Sequence, residues 1–482
     1  MDEGTIKKRA SIGVMSLILR TGILKIISFI GSIILARLLI PADFGIYAIV
    51  SFIVTFFGTF TNAGLGASLI RKSTVTNKEL TTAFTTQQIL TGTVCIIIIV
   101  IAPLFNLIWK TSTTIEWLVR IMVISFFINS LGVVPTIQLE RELKYNKLVV
   151  SDVLRSVSYT FTSVILAYSG YGVWSFILGA FVSSILGTIS LFIISPWHIS
   201  IGIDKKSLKE MLSFGVVFQA GVVVSLVYTS VTPVLVGVLA GATGLGYVVF
   251  ADATIQFPLI FVYAYQRVTF PTFSYLKDNK ETYRKAIEKS IRYASYFLYP
   301  LFFIILTTAS FFIPIIFGNK WMPALPVIYI SLVYLMIYPM IVPSNSMFFV
   351  AGKPGIVLSI TTAMAIITWA AGIPLILYFG FIGLPLANLF NALIWKYQYD
   401  EMKKIIDFKI YRNMYPAFLS ALGAGIIIYV ITLFVNMNFI MLVLTGAFGL
   451  LIYLLFLYGF EGKKLIVEIK NIYLLLIKKE TL

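Results

Sequence analysis

Residues 93–108 read Thr93-Val-Cys-Ile-Ile-Ile-Ile-Val-Ile-Ala-Pro-Leu-Phe-Asn-Leu-Ile108 and close an apolar segment, about 82–108, that carries no charge. A helix that crosses a bilayer needs about 20 mostly apolar residues, because the hydrocarbon core is about 30 Å thick. One such segment would make an anchor, but this one recurs. Apolar stretches lie at about 11–38, 44–69, 82–108, 117–138, 148–168, 172–195, 208–239, 245–272, 293–317, 323–350, 356–378, 381–399, 414–435 and 438–459. They predict an all-α polytopic membrane protein of about fourteen transmembrane helices. The composition agrees: of 482 residues, 59% are hydrophobic and 12% charged, and the mean hydropathy is +0.96. A soluble domain carries about a quarter charged residues, and disorder needs low hydrophobicity with high charge. Fourteen spans leave only short connections and no separate soluble domain.

The net charge is +17, a balance that in a soluble chain could suggest nucleic acid. Here the charges sit in clusters between apolar runs, which is the pattern of membrane topology, and no nucleic-acid partner is expected. Alternate connections hold Lys7/Lys8/Arg9, Arg71/Lys72/Lys78, Arg141/Lys144/Lys147, Lys205/Lys206/Lys209, the run from Lys277 to Arg292, Lys353, the run from Lys396 to Arg412, and the tail from Lys463 to Lys479. The intervening connections hold only Lys110 and Lys320. Twenty-nine basic residues against two, in strict alternation, place both termini on the cytoplasmic side of the membrane; with the resemblance given below, that membrane is expected to be the bacterial inner membrane. Arg20 and Lys25 interrupt the first apolar run and no small-residue cleavage site follows it, so it reads as a retained helix rather than a signal peptide. The single cysteine, Cys95, reads as packing.

The chain repeats itself. Leu38-Leu-Ile-Pro-Ala-Asp-Phe-Gly-Ile46 aligns with Leu239-Ala-Gly-Ala-Thr-Gly-Leu-Gly-Tyr247, Val134-Pro-Thr136 with Val342-Pro-Ser344, and Tyr168-Ser-Gly-Tyr171 with Tyr378-Phe-Gly-Phe381, at offsets of 201, 208 and 210. Six helices per repeat is an even number, so the halves are parallel repeats, as some transporters have. The expected organisation is a six-helix lobe over 1–200, a second over 201–400, and two further helices with a basic tail over 401–482.

Six basic residues fall within spans: Arg20, Lys25, Arg37, Arg120, Arg155 and Arg267, with Asp152 and Asp252 as the acidic ones. A charge at a helix centre costs about 2.5–3.5 kcal/mol on insertion scales, so it usually faces a water-filled path or a partner. Arg37, Arg120 and Arg267 lie near span ends and can snorkel. Lys25 lies near the midplane, and with Arg20 it reads as cavity-facing. Asp152 and Arg155 are three apart on one helix face; they form a local ion pair, or Arg155 faces the cavity with Asp152 tuning it. Arg267, Asp152 and Asn62 are candidates for additional substrate contact or gating. Asp252 is either a site for a coupling H⁺ or Na⁺ or a partner to a cavity cation. Most uncharged polar residues in spans, including Gln88, Asn129, Gln256, Asn388 and Asn391, read as interhelical hydrogen bonds. Tyr263 and Tyr265 could meet sugar rings.

The sequence holds no phosphate loop, no metal-spaced His/Asp/Glu cluster, and one histidine, His198, in an inner connection. No catalytic residues, no metal and no cofactor are expected, and an enzyme is disfavoured.

The 6+6+2 pattern, the turn Leu35-Ala-Arg-Leu-Leu-Ile-Pro-Ala-Asp-Phe-Gly-Ile-Tyr-Ala48, Gly64-Leu-Gly-Ala-Ser-Leu-Ile-Arg-Lys72, Gly170-Tyr-Gly-Val-Trp174 and Phe317-Gly-Asn-Lys-Trp321 carry a likeness. The chain resembles bacterial polysaccharide-repeat flippases (Wzx-like), in the polysaccharide transport branch of the MOP exporter superfamily. That resemblance implies a V-shaped bundle, alternating access, and export of undecaprenyl-diphosphate-linked oligosaccharide for O-antigen, capsule, exopolysaccharide or teichuronic-type polymer. It implies a cationic cavity, to which Arg20, Lys25 and Arg155 are carried over. The implied partners are the lipid-linked oligosaccharide, membrane lipids, and a polysaccharide polymerase with other assembly proteins. The alternatives are a lipid II-type flippase, a multidrug or cation antiporter, and a polymerase. The antiporter is disfavoured by six basic against two acidic residues in the spans, and the polymerase by the short outer loops.

The charge alternation predicts that positions near 75, 145, 280 and 405 are cytoplasmic. Single cysteines placed there in a Cys95→Ser background should react with impermeant maleimide only after the cells are opened. Labelling near 280 in intact cells would break the fourteen-span topology.

Overall fold

The computed structural model describes residues 24, 27–61, 64–72, 74–109, 115–463, 465, 466 and 468, and every regular element among them is helical. The chain divides into two compact units, Met1–Val249 and Phe250–Leu482. The first contains α1 (Ile27–Leu38), α2 (Pro41–Thr59), α3 (Leu65–Arg71), α4 (Asn77–Trp109), α5 (Ile115–Leu131), α6 (Val133–Arg141), α7 (Tyr145–Tyr168), α8 (Trp174–Ile194) and α9 (Lys205–Thr229). A π-helical turn, Thr232–Val236, leads from α9 into the short α10 (Gly237–Leu239). Helix α11 (Gly241–Leu276) begins in the first unit and continues into the second. The second unit adds α12 (Lys280–Phe312), α13 (Leu325–Ile341), α14 (Ser344–Val350), α15 (Pro354–Phe379), α16 (Gly383–Leu389), α17 (Ala392–Ile405), α18 (Tyr411–Phe434) and α19 (Phe439–Glu461).

Among the described residues ten helices are long and apolar enough to cross a membrane, and Ile27–Leu38 and Ser225–Leu239 are shorter apolar helices. Ten is fewer than the fourteen apolar segments partly because Pro354–Ile405 is one helical run through two of them. That run folds back on itself. Gly380 takes a left-handed φ of 59°, and Gly383 then lies so close to α15 that a Cβ there would sit 2.3 Å from the Leu375 carbonyl oxygen.

Matching backbone events recur in the two halves. Gly170, between α7 and α8, has φ of 82°, as Gly380 has a positive φ between α15 and α16. Helix α5 breaks at Gly132 before α6, and α13 breaks before α14 at Val342–Pro343. A left-handed residue follows each short helix: Leu143 after α6 and Gly352 after α14, with φ of 54° and 68°.

Helix pairs approach through missing side chains. Along α8, Gly179 and Gly187 face α7: a Cβ at 179 would lie 2.0 Å from Ser163 Oγ, and one at 187 would lie 2.3 Å from Arg155 Cγ. Small residues let backbones meet where lipid offers no hydrophobic drive for association. The starts of α2 and α11 cross in a reciprocal contact. A Cβ at Gly45 would fall 1.8 Å from the Ala242 carbonyl oxygen, and one at Gly246 would fall 1.9 Å from that of Pro41. These residues align in the sequence repeat, Pro41 with Ala242 and Gly45 with Gly246.

The end of the first unit that carries the basic connections is tied by capping. Arg141 donates to the carbonyls of Leu69 and Lys72, satisfying the C-terminus of α3. Lys72 pairs with Glu210 of α9 at 2.8 Å and Glu79 of α4 at 2.6 Å. Both carboxylates, Glu210 foremost, hold its ammonium above the usual range. The connection into α9 is docked on α4: Gly202 N–H donates to Thr85 Oγ1 and Asp204 N–H to Thr82 Oγ1. Asp204 then caps α9 through Ser207 N–H. In the second unit Trp321, fully buried, stacks on Phe250 at 4.3 Å. Arg292 of α12 joins Glu468 at 2.9 Å and Asn413 of α18.

The two carbonyl oxygens facing Gly45 and Gly246 are backbone and cannot rotate away. Gly45→Ala and Gly246→Ala should each lower the apparent melting temperature of the detergent-purified protein by several degrees, in line with an overpacking penalty of about 1–3 kcal/mol. Gly446→Ala, at a position with open space beside it, should not. Equal stability in all three variants would refute the crossing.

Candidate functional site

Arg155 is the centre of a polar network inside the first unit. Helix α7 divides its surface by period. Leu154, Phe161, Ile165 and Tyr168 are exposed, while Ser151, Ser158 and Ser163 are buried. Arg155, one turn after Ser151, is half-buried on the inner side. Its Nη1 donates to Asn129 Oδ1 of α5, and its Nη2 lies 3.5 Å from Thr188 Oγ1 of α8. The Arg155 side chain, from Cγ to Cζ, occupies the space that a side chain at Gly187 would have filled. Thr188 is oriented by donating to the Ile128 carbonyl at 3.1 Å. Ser130, next to Asn129, exchanges hydrogen bonds with Gln88 of α4: Ser130 Oγ donates to Gln88 Oε1 at 2.9 Å, and Gln88 Nε2 donates to the Ser130 carbonyl at 3.1 Å. On the far side Ser183 donates to the Arg155 carbonyl, and Ser190 donates to Ser151. Four helices, α4, α5, α7 and α8, thus hold one cation.

The partners of the guanidinium are neutral amide and hydroxyl groups. They orient the charge without cancelling it. Asp152, half-buried one turn earlier on α7, acts on Arg155 electrostatically but is not among the groups that receive its hydrogen bonds. A guanidinium has five N–H donors, and Asn129 beside it is exposed, so the network reaches the surface of the bundle on that side.

The other candidates fall elsewhere. Arg20, Lys25 and Asn62 lie outside the described residues, as does the side chain of Arg267, whose backbone is part of α11. Asp252 belongs to the second unit, where it is exposed on α11 with Gln256 one turn further on. Tyr263, two turns beyond, is 42% exposed and its hydroxyl lies 3.4 Å from Gln256 Oε1. Arg120 sits over the Trp117 ring at 4.6 Å. Cys95 is buried beside the Val123 carbonyl, and His198 is exposed. Asn388 and Asn391 share Thr368 of α15. Among the described residues no three His, Cys, Asp or Glu side chains group as metal ligands. Thr188, Ser183 and Gly187 were missed in the sequence. The spacing Gly179-xxx-Ser183-xxx-Gly187 carried the signal, because small residues every fourth position line one helix face.

The fold is a bundle of long apolar helices, ten of them among the described residues long enough to cross a membrane. It is similar to the lipid II flippase MurJ in an inward closed conformation, with a TM-score of 0.79 at 16% identity over 94% of this chain and 100% of that one. An inward-facing multidrug resistance MATE family transporter of the MOP superfamily gives 0.63 at 15% identity over 80% and 98%. Residues 34–326 match the family described as polysaccharide biosynthesis protein, and the chain belongs to that family. It is 21% identical over 301 residues to the teichuronic acid biosynthesis protein TuaB of Bacillus subtilis, covering 60% of each chain. It is 22% identical over 298 residues to the lipopolysaccharide biosynthesis protein WzxC of Escherichia coli, covering 61% of this chain and 60% of that one. The chain therefore spans about three fifths of the length of these relatives.

A charge-assisted hydrogen bond contributes about 1.5–3 kcal/mol, and stranding the charge costs more than removing it. Asn129→Leu should therefore destabilise the purified protein more than Arg155→Met. The double variant should recover part of that loss. Strictly additive melting temperatures would exclude the coupling between Asn129 and Arg155.

Proposed function

We propose that the protein is a flippase, not an enzyme, that carries undecaprenyl-diphosphate-linked oligosaccharide across the bacterial cytoplasmic membrane for surface polysaccharide assembly. The observation that carries this reading is Arg155: a cation in a membrane-spanning helix, held by neutral groups and reaching the surface of the bundle on one side. A diphosphate leaving the headgroup region must exchange its water for opposite charge. A guanidinium fork can take phosphate oxygens bidentately, whereas Lys offers a compact point charge. Membership of a polysaccharide biosynthesis family points to a glycan cargo, and the MOP-type fold favours transport by alternating access. In this reading Arg20, Lys25 and Arg155 receive the diphosphate, and both termini are cytoplasmic. The repeated backbone events at Gly170 and Gly380, and at Leu143 and Gly352, support two parallel six-helix repeats followed by two extra helices. A polymerase and other assembly proteins would take up the product outside.

Deleting the gene should abolish surface polymer and leave lipid-linked oligosaccharide in the inner leaflet, where it resists an externally added glycan-cleaving enzyme. Arg155→Gln, at matched protein level, should reduce polymer about tenfold or more, the scale expected when about 1.4 kcal/mol of anion binding is lost. Arg155→Lys should be milder. Normal polymer in an Arg20/Lys25/Arg155 triple neutral variant would overturn the cationic mechanism.

A further inference from the structure

We propose that Asp252, Gln256 and Tyr263 of α11 form a sugar-binding row that contacts uncharged ring hydroxyls of the carried glycan; this rests on the flippase reading above. Asp252 and Gln256 are one helical turn apart and Tyr263 two turns further on, so the three share one face. All three are exposed. Asp252 is about 16 Å along the helix from its start at Gly241, close to the middle of a hydrocarbon core about 30 Å thick. An exposed carboxylate at that depth does not face lipid, because centre-of-bilayer charges are costly and turn to water-filled paths. Asp252 has no hydrogen-bond partner among the described residues.

The chemistry of the row selects the ligand. The Tyr263 hydroxyl and Gln256 Oε1 engage each other at 3.4 Å. That leaves the Gln256 amide N–H groups as donors, the Asp252 carboxylate as acceptor and the Tyr263 ring as an apolar face. A metal cation would require several converging oxygen acceptors, and among the described residues no three His, Cys, Asp or Glu side chains group there. A pyranose ring presents what the row lacks: hydroxyls that both donate and accept, and C–H faces that lie on an aromatic ring. An acidic ring at Asp252 would meet like charge, so the row fits a neutral or amino sugar there. The row extends about 16 Å from Asp252 to Tyr263, enough for more than one ring. It thus reads the glycan, while the cations read the diphosphate common to all such lipids.

The test uses the full-length protein in lipid nanodiscs and two probes. One is bare undecaprenyl diphosphate. The other is the undecaprenyl-diphosphate-linked oligosaccharide extracted from the cells that make this protein. The wild type should bind the second about tenfold more tightly. Tyr263→Ala, Gln256→Ala and Asp252→Asn should each erode that preference while leaving affinity for the bare lipid within about twofold. Tyr263→Phe, which keeps the ring, should retain most of it and guards against misfolding as the cause. Variants that keep the full preference overturn the sugar row and leave the flippase reading standing. A wild type that binds neither probe overturns both. If Asp252→Asn abolishes gradient dependence of transport with the glycan preference intact, Asp252 is an ion site and the proposal fails.

Discussion

Close backbone approach is the constraint on which the rest of this structure depends. In lipid, helices gain nothing from hiding apolar side chains from each other, because the tails are equally apolar; contact must come from packing and polar bonds. The chain answers with small residues where helices meet: Gly179 and Gly187 between α8 and α7, Gly383 against α15, Gly45 and Gly246 at the crossing of α2 and α11. The Arg155 network exists because of this. Without a side chain at Gly187 the guanidinium stem has room, and with α8 drawn close Thr188 comes within reach of it.

The electrostatic logic follows from that geometry. A membrane-embedded cation needs partners that remove the penalty of burial. A carboxylate would do this while neutralising the charge. Asn129 and Thr188 satisfy hydrogen bonds and leave the charge intact, which suits a site that must attract an anion and then release it. On α11 the arrangement is inverted. Asp252 is an acid without such partners among the described residues, in a row with an amide and a phenol. In the function proposed above, the first of these groups meets phosphate and the second meets hydroxyls.

The reciprocal contact of Gly45 with Ala242 and Gly246 with Pro41 bears on the internal repeat. A contact in which one repeat position meets the other's counterpart, and vice versa, is what two-fold related copies make. The aligned stretches 38–46 and 239–247 are identical only at the leading leucine and at Gly45/Gly246, and that glycine is the position where both Cβ atoms would collide with backbone. The resemblance was legible because packing left no other residue type there.

The all-helical membrane class was determined by the sequence alone, because hydropathy over about 20 residues is a local property that needs no knowledge of neighbours. Arg155 and Asp252 stood out for the same reason: a charge inside an apolar run is visible one residue at a time. The partners were not. Asp152, three residues away, was the nearest candidate for Arg155, yet the guanidinium reaches Asn129 and Thr188, which lie 26 and 33 positions from it in the chain. Similarly, Pro354–Ile405 reads as two apolar segments and folds as one helical run turned at Gly380. Which helix faces contact each other depends on crossing angle and on where side chains are absent, so only the tertiary structure decided which neutral groups hold the cation and which carboxylate stays open.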